Sequence, residues 1–98
     1  MPQFILTYHG GSQPKTPEEG KAHMDRYMQW IGGLNAVVPQ QPLKGTETLG
    51  DMQITPMMGY TIIEAADMDA ARTTAQACPF LEMENSAMQV SELHQMPR

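Results

Sequence analysis

Short continuous apolar runs and a three-to-four-residue apolar spacing take turns along the chain, and each change of rhythm predicts a change of element. Residues 3–9 (Gln-Phe-Ile-Leu-Thr-Tyr-His) read as a strand whose consecutive Phe4, Ile5 and Leu6 put apolar side chains on both faces. Such a strand needs cover on both sides: helices on one, and a second copy of the sheet as the simplest cover on the other. After the polar loop 10–15, Thr16-Pro17-Glu18-Glu19 predicts a helix start. Thr is the N-cap, Pro takes the first helical position and Glu19 closes a capping box. Met24, Tyr27, Met28, Ile31 and Leu34 then keep helical spacing, with His23 and Trp30 on the flank of that stripe. Gly32-Gly33 supplies the stop.

Val37-Val38 is a short apolar run cut off by Pro39 and Pro42, so the second strand is expected over 43–49, where Thr46 and Thr48 alternate with Glu47. Residues 50–56 read as a connector. The strongest strand is 58–65 (Met-Gly-Tyr-Thr-Ile-Ile-Glu-Ala), again apolar on both faces. Asp67 predicts the cap of a second helix, 68–77, with Met68, Ala71, Ala75 and Cys78 on one stripe and Pro79 ending it. A weaker last strand is expected over 87–93. The order β-α-β-β-α-β predicts one α+β domain over 1–98, ferredoxin-like, with an antiparallel four-stranded sheet carrying two helices on one face. The opposite face is apolar too, which predicts a homodimer in which two sheets meet as a dimeric α+β barrel. A chain of 98 residues leaves much of its surface exposed, which also favours association.

Composition narrows the partners. With 41% hydrophobic and 17% charged residues the chain is expected to fold rather than stay disordered. The net charge of -5 and the scattered Lys15, Lys21, Arg26, Lys44, Arg72 and Arg98 argue against nucleic acid and against anionic membranes. Residues 1–6 lack a basic segment, and Phe4-Ile5-Leu6 is too short for a signal core or a membrane span. The lone Cys78 excludes a disulfide framework within the chain and fits a reducing compartment, so a cytoplasmic protein is expected. Ten methionines suit soft core and interface filling; they do not cluster with the histidines, and no metal site is expected.

His23 is the leading candidate for chemistry, because an imidazole facing a cavity titrates near neutrality and can move a proton as general acid or base. A His packed on the flank of an amphipathic helix is the plainer alternative. Cys78 reads as a small buried hydrophobe whose helix-end position raises the thiol pKa. His9 closes the first strand before a glycine loop, where it can look into a barrel mouth. His94 is expected to be exposed, and His9, His23 and His94 have no ligand spacing. Tyr8, Tyr27, Trp30 and Tyr60 are the aromatic candidates for lining a small-molecule pocket, or else ordinary packing. Gly10-Gly11 lacks the strand-to-helix spacing of a dinucleotide loop, and no cofactor is expected.

Several of these pieces together resemble the YCII-related family, in particular its DGPF branch, over nearly the whole length. They are Tyr8-His9-Gly10-Gly11, Thr16-Pro17-Glu18-Glu19, His23, the strand Gly59-Tyr60-Thr61-Ile62-Ile63-Glu64-Ala65 with Asp67, and Ala77-Cys78-Pro79-Phe80-Leu81-Glu82. The resemblance implies a dimeric α+β barrel of ferredoxin-like subunits. It also implies kinship with small-molecule enzymes that use a His and Asp pair, and, for the DGPF branch, a link to extracytoplasmic-function sigma factors. Two departures stand out. The Asp-Gly-Pro-Phe signature is replaced by a shorter connector, Gly50-Asp51-Met52-Gln53-Ile54-Thr55-Pro56, and Cys78 stands where the enzyme-like branch has its Asp. The expected function is therefore a small-molecule ligand-binding or regulatory dimer with His23, Tyr8, His9, Tyr27, Trp30 and Tyr60 at the site. The alternative is a lyase- or isomerase-like proton-transfer enzyme with His23 as general base.

Overall fold

Two side-chain oxygens decide where the helices begin. Thr16 Oγ1 accepts the Glu19 amide at 3.1 Å, and Asp67 Oδ1 accepts the Ala70 amide at 2.8 Å; each satisfies a donor that the first helical turn leaves without a partner. The Glu19 carboxylate turns back to the Lys15 amide (3.2 Å) instead of closing the box on Thr16. The computed structural model, which describes residues 1–12 and 14–94, has the order β1 (Gln3–Gly10), α1 (Pro17–Gly32), β2 (Ala36–Pro42), β3 (Met57–Glu64), α2 (Met68–Gln76), a 3₁₀ helix (Pro79–Glu82) and β4 (Ser86–Glu92). Among the described residues no helix is long and apolar enough to cross a membrane.

The strands form one antiparallel sheet in the order β2-β3-β1-β4, the ferredoxin-like arrangement. Opposed residues share a face, so the register Phe4↔Ile63, Leu6↔Thr61 and Tyr8↔Gly59 assigns one side of the sheet. That side meets the helices. Phe4, Leu6, Ile63 and Ala65 pack with Ala71 and Ala75 of α2, while Tyr8 packs with Tyr27, Ile31 and Cys78. Alternation sends Ile5, Thr7, His9, Tyr60, Ile62 and Glu64 to the other side.

The second strand lies earlier than the residue pattern predicts. It is Ala36–Pro42, and 43–56 has no regular structure. The two prolines are tolerated because β2 is an edge strand that pairs with β3 alone, and its register slips between Ala36 and Val38 and again between Val38 and Gln41. An edge position forgives a missing N–H that a central strand would not. The packed face of α1 is also narrower than its spacing suggests: Tyr27 and Ile31 are buried, while Met24 and Met28 stay half exposed. Met68, in the first turn of α2, is likewise exposed.

One tight junction positions the loop ahead of α1. Gly10 has φ 72°, and a Cβ there would sit 2.4 Å from the Asn85 carbonyl oxygen. The Gly11 and Ser12 amides donate to the Asn85 and Glu84 carbonyls, both at 3.0 Å, so the loop is zipped to the turn before β4.

Candidate functional site

Tyr27 and His23 stand one turn apart on α1, so they share a face. That face looks across the ends of β1 and β3 towards the rim of β2. There the Tyr27 hydroxyl donates to the Tyr8 hydroxyl at 2.9 Å, Tyr8 lies 2.5 Å from Thr61 Oγ1, and Thr61 donates to the Pro39 carbonyl at 2.8 Å. Three hydroxyls from α1, β1 and β3 thus form one buried row ending on the backbone of β2. The Tyr8 and Tyr27 rings meet edge-on at 6.0 Å, and Phe80 closes on Tyr8 at 5.2 Å.

A largely apolar cleft of about 280 Å³ opens beside this row, with Tyr8, His23, Met24, Tyr27, Gly59 and Phe80 among its walls. That is close to the lower end of ligand-site volumes, about 300 Å³. His23 also borders a more polar groove of about 340 Å³ that includes Lys15, Glu19, Arg26 and Glu82. Across it the Arg26 guanidinium donates to Glu82 Oε2 at 2.8 and 3.2 Å, tying α1 to the 3₁₀ helix. The side-chain hydrogen bonds within the body of α1 involve Arg26, Tyr27 and Trp30, which leaves the half-buried His23 ring without an orienting partner among the described residues.

The six side chains singled out from the sequence are divided by the fold. Tyr8, His23 and Tyr27 come together at the cleft. Trp30 stands behind it, its ring 5.7 Å from Tyr27 and its indole N–H donating to the Thr74 carbonyl at 3.1 Å, so it links α1 to α2. His9 and Tyr60 belong to the opposite face of the sheet; the His9 ring bonds Thr7 Oγ1 at 2.9 Å and the Thr55 carbonyl at 3.1 Å. Thr61 and Gly59 belong to the cleft region and were not singled out. Their signal was parity: Gly59, Thr61 and Ile63 share one face of β3, and a hydroxyl between two inward positions must find a partner. Among the described residues no three His, Cys, Asp or Glu side chains converge as a metal site would require.

Cys78 is buried, and its thiol is pushed up to about 11, first by burial, with the Glu82 carboxylate adding and the Phe80 amide opposing. Burial is thus the main cause, ahead of the helix end. Tyr8 and Tyr27 are raised as well, again chiefly by burial. In each case the folded state keeps a proton that the unfolded chain releases earlier. The associated stability is complete below the ordinary thiol value of 9.0 and is lost as pH rises towards about 11. The melting temperature is expected to hold up to about pH 8 and then fall across that window, less steeply in Cys78→Ala. A melt that stays flat through the window would show that the groups are not buried in solution.

The fold and the site together define a ferredoxin-like α+β protein with a ligand-sized cleft under its first helix. No family model and no curated protein matches the chain. Among solved structures, the chain is similar to 5-chloro-2-hydroxyhydroquinone dehydrochlorinase (TftG) from Burkholderia phenoliruptrix AC1100, in complex with 2,5-dihydroxybenzoquinone. The likeness covers 88% of this chain and 90% of that one, with a TM-score of 0.53 and 16% identity, and it is a likeness of fold.

Proposed function

We propose that the protein is a small-molecule-binding homodimer of the YCII-related kind, acting in the cytoplasm, with its ligand in the cleft between α1 and the rim of β2 and β3. The observation that carries this reading is the meeting of Tyr8, His23 and Tyr27 at one apolar cleft of about 280 Å³. Apolar walls supply the burial and a few polar groups set the orientation, the usual division of labour in a small-molecule site. The half-buried Ile5, Tyr60 and Ile62 on the helix-free face support association with a second copy.

A catalytic reading has one observation in its favour, the fold shared with a dehydrochlorinase that was captured with a quinone. In it His23 would move a proton on a bound substrate. A general base works best when a third group orients it, and among the described residues His23 has no such partner. The position that would supply an Asp holds the buried thiol of Cys78. Binding without turnover is therefore the better account.

A thermal-shift screen of small apolar compounds, run on the wild type and on His23→Ala, tests the cleft. Hits are expected to lose about tenfold in affinity in the variant, the worth of one polar contact. Hits that stabilise both proteins equally would remove His23 from the site. Light scattering should return about twice the chain mass of 10.9 kDa; a monomer at micromolar concentration would end the dimer reading.

A further inference from the structure

The hydroxyl row beside the cleft has a direction, and the direction bears on what the cleft can hold. Pro39 offers a carbonyl oxygen, which accepts and never donates. Thr61 has one hydroxyl proton and commits it to that carbonyl at 2.8 Å. Tyr8, 2.5 Å from Thr61 Oγ1, must then be the donor of that pair. With the Tyr8 proton committed, the 2.9 Å contact can only be donation from Tyr27. Every proton in the row therefore points from α1 towards β2. Turning the row round would take from the Pro39 carbonyl the hydroxyl donor it has, and giving up a partly buried hydrogen bond costs stability. Hydroxyls in series polarise one another, which strengthens the acceptor at the open end.

We propose that the cleft selects apolar molecules carrying a hydroxyl or N–H group, because Tyr27, one of its walls, holds a phenol oxygen that can accept a hydrogen bond and has no proton left to give. The inference rests on the cleft being the ligand site. An ether, ketone or ester placed there meets lone pairs with lone pairs. A phenol, alcohol or amine places a proton between them. The remaining lining sets the apolar Met24, Phe80 and Met83 beside the polar His23, Gln40 and Gln41, so most of the rest of the molecule is apolar. Burial keeps both phenols neutral at ordinary pH, so the acceptor is a phenol oxygen and not a phenolate.

Three probes of matched shape test this on the full chain: 2-naphthol, 2-methoxynaphthalene and 2-methylnaphthalene. Binding is followed by NMR through the methyl groups of the cleft residues Met24, Met58 and Met83. The naphthol is expected to bind about tenfold more tightly than the other two. In Tyr27→Phe that advantage should shrink towards parity while 2-methylnaphthalene binds as before. Equal affinities in the wild type would overturn the proposal and leave the cleft standing as a ligand site. A preference that survives Tyr27→Phe but vanishes in His23→Ala would assign donor recognition to the imidazole and overturn it too. If no probe moves these methyl groups, the cleft itself fails as the site. The wild-type ranking decides the matter even if Tyr27→Phe does not fold.

Discussion

Phe4→Ala is expected to destabilise the protein by about 3–5 kcal/mol, the range for deleting a fully buried phenyl ring. Phe4 has no exposed surface and sits in β1, which is held on both sides by β3 and β4. Ala71 and Ala75 bring α2 close over the sheet, and the phenyl ring packs in one cluster with them and with its cross-strand neighbour Ile63. A central strand cannot move inward to close the void, so the cavity persists and adds to the lost burial. Set against a total stability of about 5–15 kcal/mol, the loss brings the chain close to unfolding. Urea denaturation followed by Trp30 fluorescence measures it. Leu49→Ala is the control: that side chain is 91% exposed and should change stability by less than about 0.5 kcal/mol. A Phe4→Ala loss as small as the control's would mean that the core is assigned to the wrong face.

Gly59→Ala is expected to cost about 1–3 kcal/mol and to weaken ligand binding as well. A Cβ at this position would lie 2.9 Å from the Gln41 carbonyl oxygen and 3.2 Å from the Pro42 Cα. Both are backbone atoms of β2, so no side chain can swing aside and the strand itself must shift. Gln41, Pro42 and Gly59 all border the cleft. The shift therefore reaches the proposed ligand site directly, whereas Phe4→Ala acts on the core under α2. Gly45→Ala, where a Cβ would meet nothing within 4 Å, separates this effect from a general response to losing a glycine. Melting curves and a 2-naphthol titration on both variants make the comparison. A normal Gly59→Ala melt would show that β2 yields easily at its edge.

The two helices and the two best strands could be read from the residues because their signals are local. An N-cap acts over three positions, as Thr16 on Glu19 and Asp67 on Ala70 show. An apolar run such as Phe4-Ile5-Leu6 declares a strand by itself. The second strand was misplaced for the converse reason. Pro39 and Pro42 argue against a strand until the edge position is known, and being an edge depends on which strands lie beside it. The candidate site was legible in part. His23 and Tyr27 announce a common face by their spacing, but the parity of β1 and β3 had to be combined with the pairing register to put Tyr8 with them and Tyr60 and His9 on the far side.

The residue order alone thus determined both helices with their N-caps, three of the four strands and the ferredoxin-like order of the elements, since each of these signals depends on neighbours a few positions away. Only the tertiary structure decided the cleft and the direction of its hydroxyl row. Tyr8 and Thr61 are 53 positions apart, Thr61 and Pro39 are 22, and Tyr8 and Tyr27 are 19. A hydrogen bond needs its partners within about 3 Å, and no local pattern brings such distant residues that close.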